Sequence, residues 1–146
     1  MSQSVEQAVK HEIESLHEFF VGWFTGELPA ERFDELFLHR MDEEMILIPP
    51  AGMVLNLQAL SEMLRQSHGN NPAFRIAIRN VTVRRVWPDH VLATYEEWQR
   101  NALASEPADN GRISTVLFRR GDALSWLHLQ ETWLPAEVMA AGPYDF

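Results

Sequence analysis

The chain has 146 residues, 46% hydrophobic and 23% charged, which is the composition of an ordinary globular domain rather than of a disordered segment. Its formal charge of −9 argues against a nucleic-acid partner and against docking on anionic lipid, because both need a basic surface. Cysteine is absent, which excludes a disulfide framework, a thiolate zinc site and a cysteine nucleophile.

The first predicted element is a long amphipathic helix over residues 4–25. Steps of three and four residues place one apolar stripe along a single helical face. Ser4 and Gln7 form a capping-box pattern at the start, and Gly26 is a natural stop. The apolar stripe consists of Val5, Val9, Ile13, Leu16, Phe20 and Trp23.

Two shorter helices are predicted before the main sheet. Pro29 suits the first turn of the second helix because its φ angle is fixed, and Asn56 is placed to cap the third. Between these helices, residues 44–48 predict a short strand that ends at the pair Pro49-Pro50. The inward-facing residues of the two helices are expected to be Phe33, Leu36, Phe37, Leu57, Leu60, Met63 and Leu64.

The second half of the chain predicts strands only. Apolar and polar residues alternate over residues 74–86, but the parity of the alternation slips near Asn80. A one-residue slip within a strand indicates a β-bulge, which bends the sheet.

Three further strands complete the sequence pattern. They are predicted over residues 91–100, 112–120 and 123–134. Gly121 and Asp122 form a tight hairpin turn between the last two, and Pro135 ends the sheet. Residues 136–146 have no clear period, so we expect this tail to pack loosely.

These elements predict an α+β fold, a cone-shaped α+β barrel in which three N-terminal helices pack into a strongly curved, mostly antiparallel sheet. The wide end of the cone could stay open as a pocket. The last predicted strand carries Leu124, Trp126 and His128 on one face and Leu127, Leu129 and Trp133 on the other. Because both faces are apolar, we expect the outer face of the sheet to meet a second copy of the chain in a homodimer.

The C-terminal strand carries a family resemblance. Residues 119–135 read RRGDALSWLHLQETWLP, which is similar to the ending RR-turn-W-x-hydrophobic-H-x-H-x-S of the association domain of calmodulin-dependent kinase. Gln130 stands where the second His is usual, and Thr132 where Ser is usual. With the order of elements, this motif makes the chain resemble the nuclear transport factor 2-like (NTF2-like) superfamily, which includes ketosteroid isomerase and SnoaL-like polyketide cyclases. The resemblance covers residues 8–135 and implies a single domain over residues 1–146, with 136–146 as a tail.

The same resemblance implies that ketosteroid isomerase chemistry is absent. Residues 46–52 contain no Asp or Glu where that family has its carboxylate base. Phe20 stands where the family has the Tyr of its oxyanion hole, and Thr115 where it has the protonated Asp. Whether the chain is an enzyme of another kind stays open at this stage.

A pocket inside the cone is implied by the resemblance to the association domain. The predicted ligand-binding residues are Phe20, Trp23, Glu96, Trp98, Thr115, Leu117 and Glu131. An apolar hollow with one or two buried carboxylates suits a cationic or hydroxylated ligand, within the wider prediction of a small hydrophobic or polar organic molecule. It can also raise a carboxyl pKa enough for acid–base work.

Two alternatives remain for the acids of this predicted pocket. Both could lie at the solvated rim or pair with Arg75, Arg79 or Arg119. A bulge in the strand would also change its parity, so that Tyr95 or Glu97 would face the pocket in place of Glu96.

His128 has two interpretations, a general base or a hydrogen-bonded histidine at the dimer face. No spacing of His and carboxylate residues is typical of a metal site, and no glycine-rich phosphate loop is present, so we expect no metal and no cofactor. The sequence has neither a signal-peptide pattern nor a run of about 20 apolar residues, so we expect a cytoplasmic protein without a membrane span.

Two functions from different classes follow from this sequence. The first is a small-molecule-binding protein with an apolar pocket, with the possibility of catalysis left open. The second is an assembly or accessory dimerisation module without catalytic activity, because the predicted fold hosts both.

Overall fold

The computed structural model describes residues 4–146. Its α-helices in this range are α1 (Val5–Thr25), α2 (Phe33–Leu36), α3 (Leu57–Gln66) and α4 (Ala136–Ala141). Its strands are β1 (Met41–Ile48), β2 (Leu55–Asn56), β3 (Arg75–Val86), β4 (His90–Arg100), β5 (Asn110–Arg120) and β6 (Leu124–Trp133). Short 3-10 turns, Ala30–Arg32 and Leu38–Arg40, flank α2. Within residues 4–146, no helix has both the length and the apolar character that a membrane crossing requires.

All strands belong to one sheet, in the order β2-β1-β6-β5-β4-β3. Neighbouring strands are antiparallel except β1 and β6, which run parallel, so the sheet is mixed. The sheet does not close on itself, and its concave face covers the apolar sides of α1 and α3. The predicted fold class, a cone-like α+β arrangement of helices in a curved sheet, is confirmed.

Helix α1 begins and ends where its capping residues predict. The Ser4 hydroxyl accepts a hydrogen bond from the Gln7 amide, and the Gln7 side chain accepts one from the Ser4 amide. At the other end Gly26 adopts φ 82°, a left-handed conformation that side chains with a Cβ disfavour. The buried stripe of Val9, Ile13, Leu16 and Trp23 then packs on the sheet.

Bulges curve the sheet, as the parity slip in the sequence predicts. Asn80 has φ 58°, and the pairing of β3 with β4 shifts register between Arg79 and Thr82. A second shift in the same pair lies between Val83 and Arg85. Each extra residue increases the local twist, which lets β3 bend over α1.

The predicted faces of β6 are wrong at its first half. Trp126 and Leu129 are both buried in the core, although they are three residues apart and strict alternation would separate them. The register between β5 and β6 shifts at Leu117 and Phe118, which leaves Leu127 as the extra residue. A bulge therefore turns Trp126 inward, while His128 stays on the outer face.

The C-terminal tail is ordered against the sheet rather than loosely packed, which corrects the sequence-based expectation. Residues after Pro135 form α4, and the Tyr144 ring then packs edge-on to Trp98 with ring centres 5.7 Å apart. Arg79 holds the same segment by donating to the Pro143 carbonyl at 2.8 Å. Trp98 lies on the outer face of the sheet, where a large apolar ring needs cover from water.

Candidate functional site

A hollow of about 140 Å³ lies between the helices and the concave face of the sheet. Most of its wall is apolar and comes from α1, the residue that follows α2, β1 and α3. That wall includes Phe20, Phe24, Phe37, Met41, Met45, Leu47, Leu60 and Met63. The opposite side is polar and consists of His17, Glu97, Gln99, Arg112 and Glu131. Met63 is 45% exposed, so the hollow reaches solvent beside α3.

Strand alternation brings the polar side chains of the sheet together. Glu97 on β4 pairs in register with Arg112 on β5, and Ser114 on β5 pairs with Glu131 on β6. Residues directly opposite one another in a ladder point to the same face. All four are buried, so three adjacent strands contribute ionisable or hydroxyl groups to one small region.

His17 joins this region from α1. Its Nε2 lies 3.0 Å from Glu97 Oε1, and its Nδ1 lies 2.7 Å from the Ile13 carbonyl oxygen. A carbonyl can only accept, so Nδ1 carries a proton, and the carboxylate opposite Nε2 draws a second proton to the ring. The arrangement is therefore an imidazolium–carboxylate pair that crosses from helix to sheet.

Hydrogen bonds extend this pair across the strands. Gln99 Nε2 donates to Glu97 Oε2 at 2.6 Å, and Arg112 Nη2 donates to Gln99 Oε1 at 3.1 Å. Arg112 Nη1 reaches Glu131 Oε1 at 3.3 Å, while the Ser114 hydroxyl lies 3.4 Å from Glu131 Oε2. The contacts shorten toward Glu97 and lengthen toward Glu131, so Glu131 is the more weakly held carboxyl.

The two carboxyl groups have pKa values displaced in opposite directions. Burial alone would raise the pKa of Glu97, but the charge and hydrogen bond of His17 outweigh it and lower the pKa to about 2. Burial raises the pKa of Glu131 to about 7, the negative charge of Glu97 adds to this, and Arg112 only partly opposes it. Burial also disfavours a charged His17, yet the attraction of Glu97 leaves its pKa above the ordinary 6.5.

Two further polar atoms of this cluster lack partners. Among residues 4–146, the Tyr95 hydroxyl and Arg112 Nε are buried without a hydrogen bond. Burial raises the pKa of Tyr95 well above its ordinary value, so the hydroxyl is a proton donor. Unpaired buried donors carry a desolvation cost and are uncommon in folded proteins. In the same part of the chain, no group of three or more His, Asp or Glu side chains gathers as metal ligands.

The structure places three of the predicted site residues on the inner side of the sheet. Phe20 and Glu131 line the hollow. Trp23 lies deeper, 1% exposed, with its indole Nε1 donating to the Leu64 carbonyl at 2.6 Å. Trp23 therefore supports the wall rather than forming its surface.

The other four predicted residues lie on the outer face, which corrects the expectation that they face the hollow. Glu96 accepts from Asn80 at 2.7 Å and from the Trp98 indole at 2.9 Å. Thr115 and Leu117 line a trough on the same outer face. The parity was misassigned because Trp98, the largest apolar residue of β4, finds its cover under the C-terminal segment rather than inside the cone.

Two residues of the polar cluster were recoverable from the sequence. His17 stands four residues after Ile13, so it belongs to the buried stripe of α1. Glu97 follows Tyr95 by two residues and shares its face, as the alternative bulged parity allowed. Arg112 carries no comparable signal, because an isolated arginine at the start of a strand is usually solvated.

The outer trough has a volume of about 350 Å³ and crosses β4, β5 and β6. Its lining residues are Leu92, Ile113, Thr115, Leu117, His128, Gln130 and Thr132. Ile113 is 40% exposed at one end of this trough, so apolar surface faces water there. His128 lies in this trough, on the outer face of the sheet and away from the hollow.

Comparison with solved structures identifies similar folds. An NTF-2-like protein of unknown function from Pseudomonas aeruginosa is 32% identical, covers 88% of this chain and 99% of its own, and superposes with a TM-score of 0.78. The CaMKII hub of S. rosetta is 10% identical, with 92% and 100% of the two chains covered and a TM-score of 0.71. An uncharacterised protein with a cystatin-like fold from Caulobacter vibrioides is 14% identical, covers 93% and 94%, and has a TM-score of 0.64. The last two likenesses concern the fold alone.

Comparison with curated sequences finds sucrose-phosphatase 1 of Nicotiana tabacum, 28% identical over 137 residues. The match takes up 85% of this chain but only 30% of that enzyme, so the chain spans about a third of its curated relative. No protein-family model matches the chain.

Proposed function

This chain belongs to the NTF2-like superfamily, and on that premise we propose that it binds a small organic molecule in the hollow between its helices and its sheet. The observation that carries the proposal is the division of the hollow into an apolar wall and a polar side. Ligand sites commonly combine a mostly apolar lining with a few convergent polar groups that fix the orientation of the ligand.

The polar side of the hollow destabilises the fold when no ligand is bound. Glu97, Arg112 and Glu131 are each less than a tenth exposed, and buried polar or charged groups destabilise a fold unless they are fully paired. Pairing is incomplete at Arg112 Nε and at the Tyr95 hydroxyl among the described residues. Such a cost is typical of a functional site, where polar groups are kept for recognition rather than for stability.

The experiment is a fragment screen by ligand-observed NMR with a variant that fills the hollow. Leu47 on β1 lines the hollow, so Leu47→Trp should occupy its volume. Ile46, its neighbour, pairs with outward-facing His128 and lies on the other face of the strand. Ile46→Trp is therefore a control with the same change in size.

We expect fragments that bind the wild type and Ile46→Trp to lose binding to Leu47→Trp. Fragments that bind all three proteins alike would lie outside the hollow. If every fragment behaved in that way, or if none bound the wild type, the proposed function would be wrong. Thermal unfolding of both variants establishes that they are folded before the comparison is made.

A second candidate function is assembly with a further copy of the chain through the outer trough. It is favoured by the exposed apolar surface at Ile113 and by the fold shared with proteins described as CaMKII hubs. An exposed apolar patch on a sheet face is typical of an interface. The copies would meet as a homodimer, the commonest symmetric arrangement.

Sedimentation of Ile113→Glu tests this candidate. A charge on this apolar surface should dissociate a dimer, because the new carboxylate would be buried beside Glu96, which lies opposite Ile113 in the ladder. Val54→Glu is the control, since Val54 is 66% exposed in the turn between β1 and β2. A wild type that sediments as a monomer at high concentration would remove the assembly function and leave the ligand site untouched.

A further inference from the structure

Hydrogen-bond capacity singles out one acid in the hollow. Both nitrogens of His17 are engaged, and both oxygens of Glu97 accept at 3.0 Å and 2.6 Å. Glu131 differs, because its oxygens meet Arg112 and Ser114 only at 3.3 Å and 3.4 Å, beyond the usual range for strong bonds. Glu131 is therefore the carboxyl group of the hollow that has capacity left for a ligand.

The size of the hollow limits what that ligand can be. Its volume of about 140 Å³ is close to that of an engineered apolar cavity of about 150 Å³ that binds benzene. A molecule built around one six-membered ring, or a short chain of similar volume, fits without rearrangement of the wall. A multi-ring molecule would have to extend past Met63 into solvent.

The charges around Glu131 argue against an ionised ligand. A cation would approach the Arg112 guanidinium and the His17 imidazolium, whereas an anion would approach Glu97. Either ion would also have to leave water for a wall of Phe, Met and Leu side chains, and the loss of hydration strongly disfavours an ion that is not fully paired there. An uncharged molecule avoids both penalties.

We infer that the hollow takes an uncharged molecule about the size of one six-membered ring, whose carbonyl oxygen accepts a hydrogen bond from the Glu131 carboxylic acid. The inference rests on the proposed function and specifies the ligand of the same site. Burial and the charge of Glu97 favour the protonated form of Glu131, with a pKa of about 7, so the group can donate. Arg112 adds positive charge on the same side, which suits a carbonyl oxygen.

The groups that face Glu131 come from three elements. They are His17 of α1, Glu97 and Tyr95 of β4, and Arg112 of β5. The pKa of Glu97 is lowered to about 2 and that of Tyr95 is raised well above 10, so neither group titrates between about pH 5.5 and 8.5. The pKa of His17 is raised above 6.5 by Glu97, so His17 is the other group of this cluster to separate from Glu131. A change in ligand affinity near pH 7 that is lost in Glu131→Gln reports on Glu131.

Isothermal titration with three probes that share one ring tests the inference. Acetophenone is neutral and carries a carbonyl, benzylamine is a cation, and benzoate is an anion. We expect acetophenone to bind most tightly and to bind at least about tenfold more weakly at about pH 8.5 than at about pH 5.5, because the donor form of Glu131 is lost in between.

Substitutions at Glu131 separate the effect of its titrating proton on ligand affinity from the effect of its side-chain size. Glu131→Gln keeps a donor of similar size without a titrating group, so acetophenone affinity should become independent of pH. Glu131→Ala should weaken acetophenone binding at both pH values. Glu96→Gln is the control, because it changes a carboxylate of the outer face and should retain the wild-type pH profile.

The outcomes distinguish this inference from the proposed function. Tighter binding of benzoate or benzylamine, or acetophenone binding that does not change with pH, would overturn the inference while leaving the hollow a binding site. If no probe binds, but fragments that bind the wild type lose binding to Leu47→Trp, the inference is likewise overturned and the hollow remains a binding site. If no fragment binds in the hollow, both this inference and the proposed function are wrong.

Discussion

The His17 imidazole and the Glu97 carboxylate meet where α1 packs on β4, with Nε2 3.0 Å from Oε1 and both residues buried. Eighty positions separate these two residues in the chain, so only the folded state brings them together. The pair anchors a row of hydrogen-bonded side chains that ends at Glu131, beside the apolar wall of the hollow.

Removal of His17 should destabilise the fold strongly. In His17→Ala, Glu97 would remain buried without its charged partner, and breaking a buried pair typically costs about 3–5 kcal/mol. His11→Ala is the matched control, since His11 is exposed on the same helix and its Nε2 lies 3.4 Å from the Ser15 hydroxyl. Urea unfolding measures both free energies.

The double substitution His17→Phe with Glu97→Leu separates the unpaired charge from the packing. Apolar replacement of both partners is often nearly neutral, so the double variant should be more stable than His17→Ala. A double variant as unstable as His17→Ala would show that packing around the imidazole, rather than the stranded carboxylate, accounts for the loss.

Stability should fall as pH rises toward neutrality. Glu131 binds its proton more tightly in the folded chain, with a pKa of about 7, than in the unfolded chain near 4.5. The stabilisation from this proton is complete below about pH 4.5 and is lost as pH rises to about 7, by up to about 3 kcal/mol. Glu97 acts in the opposite direction, because its lowered pKa gives stability that is lost as pH falls from 4.5 toward 2.

Glu131→Gln should remove the decline between about pH 4.5 and 7, since the amide does not titrate. Glu96→Gln should leave the decline in place. Chemical unfolding at a series of pH values measures the difference, and equal slopes for the wild type and Glu131→Gln would show that Glu131 is ionised throughout.

The sequence predicted the fold more fully than it predicted the site. The capping pattern at Ser4 and the parity slip at Asn80 are local signals, and each corresponds to a feature of the structure. It was harder to predict which side chains of β4 face the hollow, because this depends on the side of the sheet on which Trp98 is covered from water. That cover comes from Tyr144, more than forty positions along the chain, and no local pattern encodes it.

The residues that line the hollow could also be predicted only in part from the sequence. Phe20 and Glu131 were predicted to line it, and they do. Arg112 was missed because an arginine becomes a buried residue only when strand pairing sets Glu97 beside it and the next strand brings Glu131 within reach. Such tertiary pairing overrides the general preference of arginine for the surface.

Close packing of β5 against Leu134 and Trp98 should make Gly111 intolerant of a side chain. A Cβ at Gly111 would lie 2.9 Å from Leu134 Cδ1 and 3.0 Å from Trp98 Cε3. We expect Gly111→Ala to cost about 1–3 kcal/mol, the usual range for overpacking. Gly121→Ala is the control, because its nearest atom would be 3.8 Å away, and thermal unfolding compares the two.

The cover over Trp98 should depend on the ring of Tyr144. Tyr144→Ala should speed the hydrogen exchange of the Trp98 indole N–H, measured by NMR, and cost roughly 1 kcal/mol. Tyr144→Phe keeps the ring and removes only the hydrogen bond to the Met139 carbonyl, so exchange should stay close to the wild-type rate. Equal exchange in all three proteins would mean that the segment does not protect Trp98 in solution.

A crystal structure of the protein soaked with acetophenone tests the central claim most directly. We expect electron density for the ring among Phe20, Leu47 and Leu60, with the carbonyl oxygen within hydrogen-bond distance of Glu131. Density confined to the outer trough beside Ile113 and His128, with the hollow closed by its own side chains, would contradict it.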